Sequence, residues 1–246
     1  MDNLKVTAYI AAGFAAFDDW SPDLAGLLEW MILDARGMAA PNPTPEDVEA
    51  SRPVVEEFMP LERGEIGGAW YWATSAPCYS YTTESISKFR KRWSPGIDTP
   101  MPDWGKRKAK WSGSEGQEKN YDLPNYVRVT DAVTWYCRGD GSGVRTLLQG
   151  CTGIGKKRAH GHGQVQRWEV TEVYHDWHLY GPNGELMRPI PVAALPEAPL
   201  DFAIRDWGWR PPAWLPSNKT RCAMPVHTCR KVDRTTLGGD GRSLAG

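Results

Sequence analysis

An α+β fold of the ferredoxin-like (split βαβ, RRM-like) kind is predicted by three observations. An apolar, strand-like run at residues 5–16 is followed by a helical stripe. A second strand-like run at 125–137 is followed by a short helical segment at 142–149. A glycine-rich loop at 150–163 then leads into a third alternating run, Gln164-Val-Gln-Arg-Trp-Glu-Val-Thr-Glu-Val-Tyr174. The resulting order β, α, β, then β, α, loop, β is that of a split βαβ sheet, an arrangement RNA-recognition domains share. At 246 residues the chain can bury a sizeable core without staples.

Taken in order, residues 22–36 place Leu24, Leu27, Leu28, Met31 and Ile32 at helical spacing, entered at Ser21 with Pro22 in the first turn and closed by Gly37. Residues 38–65, rich in proline and acid, read as an insertion with a short helix from Pro45. Residues 67–76, Gly-Gly-Ala-Trp-Tyr-Trp-Ala-Thr-Ser-Ala, read as the next strand. Residues 88–124 lack periodicity and are expected to form a second insertion, a projecting basic hairpin. Together these make a body over residues 1–175. Residues 178–187 read as a hairpin around Pro182-Asn183-Gly184, and an irregular Pro- and Trp-rich extension then wraps the body to residue 233. Residues 234–246 have the composition of a disordered tail.

The formal charge of −1 hides a strong polarity along the chain. Residues 1–87 hold 4 Lys+Arg against 14 Asp+Glu, residues 88–167 hold 16 against 7, and residues 168–246 hold 9 of each. A basic middle of this kind suits a polyanion, whereas the acidic first third suits a basic neighbour. Five scattered cysteines and no apolar signal segment predict a reduced, cytoplasmic protein, and no run is long and apolar enough for a membrane helix.

The basic charge is clumped in Lys88-Phe-Arg90-Lys91-Arg92-Trp93, in Lys106-Arg107-Lys108-Ala-Lys110-Trp111 and in Lys156-Lys157-Arg158. Cations beside an aromatic plane are what single-stranded nucleic acid needs, because phosphates take the charge and unstacked bases take the ring. Trp93, Trp104 and Trp111 are the candidate stacking platforms, while Trp30, Trp70, Trp72 and Trp135 sit in patterned segments and are expected to be buried.

The loop itself is Gly150-Cys-Thr-Gly-Ile-Gly-Lys-Lys-Arg-Ala-His-Gly-His-Gly163. Glycines at this density allow close backbone approach to an anion. Gly150 to Lys156 spells most of a Walker A sequence, but Lys157 stands where Mg²⁺ needs a hydroxyl, and Arg158 stands where a dinucleotide fingerprint needs its third glycine. The loop also enters a strand rather than a helix, which argues against a nucleotide hydrolase. Phosphate contacts are therefore assigned to Lys156, Lys157, Arg158 and Arg167, with His160 and His162 as further RNA contacts and close backbone approach at Gly153, Gly155, Gly161 and Gly163. Lys88, Arg90, Lys91, Arg92, Lys106, Arg107, Lys108 and Lys110 form an electrostatic track on which Trp93 or Trp111 stacks a base.

A short helix running into a glycine-rich basic loop resembles the RAMP superfamily of CRISPR-associated proteins. The Asp23-Leu-Ala-Gly-Leu-Leu28 helix, the Ala69-Trp-Tyr-Trp-Ala-Thr-Ser75 strand, Leu186-Met-Arg-Pro-Ile-Pro191 and Trp209-Arg-Pro-Pro-Ala-Trp214 narrow the resemblance. Together they are similar to the type IV effector subunit related to the fifth Cas family. The resemblance spans about residues 5–215 and implies a non-catalytic subunit that binds guide RNA at its 5′ handle. It further implies that the hairpin at 88–111 acts as a thumb and that the flanks meet the backbone subunit and the large subunit. Proximity to the large subunit could place it near the PAM-bearing duplex of target DNA, and the wider complex could include a helicase. No cofactor or membrane is implied.

Two other readings stand beside this one. A metal-independent endoribonuclease maturing the guide would use His160 or His162 as base and acid and Lys156 or Lys157 on the phosphorane. A protein-interaction scaffold would account for the acidic first third but not for the basic middle. His160-x-His162 and Cys222-x-x-x-x-His227-x-Cys229 lack the paired spacing of a structural zinc site.

Overall fold

The computed structural model describes residues 1–11, 13–16, 18–91, 121–156, 158, 161–197, 199 and 201–232. Along the chain the elements run β1 (Asp2–Ile10), β2 (Phe14–Ala16), α1 (Leu24–Asp34), α2 (Pro45–Phe58), β3 (Arg63–Ile66), β4 (Ala69–Trp72), β5 (Tyr79–Tyr81), β6 (Thr83–Lys91) and β7 (Tyr121–Val129). They continue with β8 (Ala132–Gly139), α3 (Gly141–Leu148), β9 (Val165–Glu172), β10 (Ile190–Pro191), β11 (Phe202–Gly208), β12 (Lys219–Pro225) and β13 (Cys229–Lys231).

Alternation in β1 buries Leu4, Val6, Ala8 and Ile10 on one face, and that face fixes the centre of the main sheet. β1 pairs antiparallel with β8 on one side and β9 on the other, so Val6 faces both Trp135 and Val170. Beyond β8, bridges Thr74↔Cys137 and Cys78↔Thr134 add the segment after β4 to the same edge. The order β9, β1, β8, residues 74–78, crossed by α1 and α3, is the split βαβ order and accords with the mixed α+β expectation. The helices pack Leu24, Leu28, Ile32, Val144 and Leu148 over that face.

Local chemistry sets the helix limits. Asp23, not Ser21, caps α1: its carboxylate accepts from the Ala25 and Gly26 N–H groups. Gly37, at φ +66°, closes the helix as expected. The segment from Pro45 is a full helix of 14 residues, held by a Thr44–Asp47 capping box and packed on α1 through Val55.

Three further elements differ from expectation. The run at 5–16 is two strands in different sheets, β1 ending at Ile10 and β2 starting at Phe14. Residues 67 and 68 do not begin a strand; Gly67 and Gly68, at φ +53° and +78°, form the two-residue turn joining β3 to β4. The run at 125–137 breaks at Thr130–Asp131 into β7 and β8.

The extension expected to be irregular contains a three-stranded sheet, β10-β12-β11, with its own core of Leu186, Ile190, Trp209, Cys222, Ala223 and Met224. Tyr180 and Leu186 bridge around Gly184 as the hairpin expectation required. Buried Arg188 joins this sheet to the body by donating to the carbonyls of Trp72, Thr74 and Trp209. The tail at 234–246 lies outside the described residues.

Candidate nucleic-acid interface

The glycine loop begins where α3 ends. Its first half is anchored: Cys151 is buried, its carbonyl accepts from the Trp168 indole at 2.7 Å, and Ile154 is buried in the main core. Three backbone hydrogen bonds then stitch the loop together and to β2. The Ile154 N–H donates to Gly163 at 2.9 Å, the Lys156 N–H to Ala15 at 3.1 Å and the Gly163 N–H to Gly13 at 3.2 Å.

These bonds assign several glycines to internal packing. Gly155, at φ +75°, would bring a Cβ to 2.8 Å from the Ala15 oxygen, and Gly163, at φ +69°, would bring one to 2.0 Å from the Ile154 oxygen. At Gly153 a Cβ would meet the Arg158 side chain at 3.2 Å. The close approach expected at Gly153, Gly155 and Gly163 is thus to the chain itself. Gly161, at φ +82° with open space beside it, is the exposed turn, and its N–H donates to the Arg158 carbonyl.

Side chains give the site its charge and its platform. The Arg158 guanidinium stands 5.4 Å over the ring of Trp30, which is 40% exposed on α1. The expectation that Trp30 is buried is therefore corrected: it lies off the apolar stripe of α1 and faces the loop. Lys156, Arg158, Trp30, Gly26 and Leu27 line a cleft of about 310 Å³ between loop and helix. A cation beside an open indole face is a pair suited to a phosphate and a base together. Asp23, at the same cleft, is pushed above the usual carboxylate range by burial, against the pull of Arg188.

The basic hairpin is tied to this cleft by β2. One edge of β2 pairs with β7 (Phe14↔Arg128, Ala15↔Val127, Ala16↔Tyr126), while Ala15 also bridges to Lys156 in the loop. β7 in turn pairs with β6 from Thr83↔Val129 to Lys91↔Tyr121. Loop, β2, β7 and β6 thus form one hydrogen-bonded surface. Lys88 is exposed on it, and Arg90 and Lys91 stand opposite Asp122 and Tyr121 in the ladder. At about 3.4 Å per residue, Lys91 lies roughly 17 Å along the hairpin from the level of Ala16.

Arg128 locks the base of the hairpin. It ion-pairs with Asp19 at 2.6 Å and Glu84 at 2.7 Å, donates to the Tyr79 hydroxyl at 2.6 Å, and stacks on Tyr81. Burial works against its charge, but the bonds to Glu84 and Tyr79 outweigh it and raise its pKa further. Sequence reasoning passed over Arg128 because its charge sits outside the three clumps.

The remaining expected residues are placed differently. Arg167 lies on β9, ion-paired with Glu169 at 3.3 Å and stacked 3.6 Å from Tyr9. His162 is half-buried in the loop. Lys157, His160, Arg92, Trp93, Trp104, Lys106, Arg107, Lys108, Lys110 and Trp111 lie outside the described residues, and for Arg90 and Lys91 only the backbone is described. Among the described residues no group of three or more His, Cys, Asp or Glu is placed to hold a metal, and no helix is long and apolar enough to cross a membrane.

The family model for CRISPR type IV associated protein Csf3 matches residues 3–225, from the first residues of β1 to the end of β12. The chain belongs to the Csf3 family. That match takes in the main sheet, the hairpin strands, the glycine loop and the C-terminal sheet, and Csf3 is a type IV CRISPR-associated family of the RAMP superfamily. No curated protein matches the chain.

Proposed function

We propose that this Csf3-family chain is a non-catalytic RNA-binding subunit of a type IV CRISPR ribonucleoprotein effector, holding the 5′ handle of the guide. The observation that carries the reading is the continuity of the glycine loop and the basic hairpin across β2, with the cleft of Lys156, Arg158 and Trp30 at their junction. Lys156 and Arg158 neutralise handle phosphates, Trp30 stacks one unpaired base, and Lys88, Arg90 and Lys91 continue the track along the thumb-like hairpin. With Lys157, the loop adds a third cation. The body at 1–175 performs this binding, and the extension at 176–233 faces neighbouring subunits. The backbone subunit and the large subunit are the expected neighbours, with the PAM duplex and a helicase reached through the complex.

The test is to co-express the chain with its neighbouring genes and a repeat-containing RNA, purify through this chain, and sequence the RNA that remains. Guides with a uniform 5′ end are expected, lost when Lys156, Lys157 and Arg158 are all changed to Ala. Retention of RNA by that variant would contradict the reading. With His160→Ala and His162→Ala combined, guide length is expected to stay unchanged; accumulation of uncut precursor would identify a nuclease instead.

A further inference from the structure

Trp30 has a second side. Behind it, away from the glycine loop, α1, α2 and the Pro211–Trp214 segment enclose another cleft of about 240 Å³. Its walls are aromatic: Trp30, Trp70, Trp72 and Trp214 all reach it, with Trp30 and Trp214 40% and 42% exposed. Its inner polar group is Glu29, whose carboxylate accepts from the Trp72 indole at 3.0 Å through one oxygen.

The charged groups facing this cleft are Glu29 from α1 and Asp47, Glu56 and Arg52 from α2. Arg52 is paired with Glu49 at 2.8 Å, and Asp47 is held charged by its bonds to Thr44. The balance is negative. A nucleic acid entering here would bring its phosphates against an acidic rim, whereas a cation would find both a carboxylate and indole faces. The molecule already stacks guanidinium on aromatic rings nearby: Arg63 and Arg210 stand 4.5 and 4.3 Å from Trp70, and Arg36 stands 3.5 Å from Phe58.

We propose that this acidic, tryptophan-walled cleft is a docking site for an arginine or lysine side chain presented by a partner protein, with Glu29 as its counter-charge. The site is independent of the RNA reading, since it shares only Gly26 and Trp30 with the basic cleft. Burial lifts Glu29 to about 7, opposed by the Trp72 bond and by the charge of Arg52 and raised further by Asp23; an entering cation favours the ionised form. Binding should therefore strengthen as pH rises from 6 to 8.

The experiment is a titration of the ¹⁵N-labelled full chain with acetyl-Gly-Arg-Gly-amide, following the indole N–H signals. Trp72→Phe identifies the Trp72 signal, which reports directly on Glu29. A saturable shift of that signal is expected with the arginine peptide, roughly tenfold weaker in Glu29→Gln, where the indole keeps an acceptor. Binding of acetyl-Gly-Gln-Gly-amide with equal strength would reduce the cleft to an apolar groove and overturn the proposal. A saturable shift of the Trp72 signal, not of Trp30 alone, produced by guanosine 5′-monophosphate in place of the peptide would overturn it in favour of a nucleobase site. An unchanged thermal transition in Glu29→Gln at pH 4 separates loss of binding from loss of fold.

Discussion

Two clefts back onto the same indole, and they differ in almost everything else. The loop-side cleft draws its charge from Lys156 and Arg158, and its glycines are spent on stitching the loop to β2. The α2-side cleft draws its charge from Glu29, Asp47 and Glu56 and is walled by tryptophans from three parts of the chain. The charge polarity of the sequence is thus folded into two adjacent surfaces of opposite sign. On the two proposed readings, such an arrangement lets one small protein meet a polyanion on one side and a basic protein surface on the other without mutual interference.

The largest expected effect comes from removing the cations. Lys156→Ala with Arg158→Ala should weaken RNA binding by at least tenfold and flatten the slope of log K against log salt by about 1.4, two single-strand phosphate contacts' worth. Filter binding across a salt series measures both, and an unchanged slope would detach the loop from the RNA.

Trp30→Ala is the next in size and is the only one of these changes expected to touch both clefts. It should cost about 1–3 kcal/mol of RNA affinity through the lost stack and also weaken the arginine peptide. If only one ligand responds, the clefts do not share their wall.

Glycine substitutions sharpen the contrast between stitched and open parts of the loop. Gly163→Ala places a Cβ 2.0 Å from the Ile154 oxygen and should destabilise the fold by about 1–3 kcal/mol. Gly161→Ala meets nothing and should cost only about 1 kcal/mol, the penalty of its left-handed backbone. Urea unfolding compares them, and equal losses would mean that the stitching carries no stability.

The effect in the acidic cleft is set apart by its sign. Glu29 holds its proton up to about 7 when folded, against an ordinary value of 4.5. Between those values the folded chain binds more protons than the unfolded one, so stability falls as pH rises through the window and stays lower above it. Glu29→Gln should accordingly stabilise the protein at pH 8 by on the order of 3 kcal/mol and be neutral near pH 4. Thermal melts at the two pH values decide it. Destabilisation at pH 8 would show that the carboxylate supports the fold.

Much of this was legible in the sequence because it rests on local periodicity. The alternation of β1 and β9 and the stripe of α1 gave the main sheet and its helices, and the loop's composition marked the RNA-binding candidate. What escaped was set by tertiary pairing. Nothing in residues 5–16 announces that β2 leaves the sheet of β1, because Phe14, Ala15 and Ala16 are as apolar as β1. The glycines of the loop read as ligand contacts because a close approach to Ala15 and Ile154 leaves the same signature as a close approach to phosphate. Trp30 could have been found: it sits two residues from both Leu28 and Ile32, about 200° from each around the helix, and so off the buried stripe. The acidic cleft could not, since its walls converge from residues 29 to 214 only after folding.

On the proposed reading, RNA lies on the loop side of Trp30 and not on the α2 side. Ultraviolet crosslinking of the purified ribonucleoprotein, followed by mass spectrometry of nucleotide-bearing peptides, distinguishes the two sides. Crosslinks are expected at Trp30, in residues 150–163 and along the β6–β7 hairpin. Crosslinks concentrated on α2 and Trp214, with the loop unmodified, would contradict it.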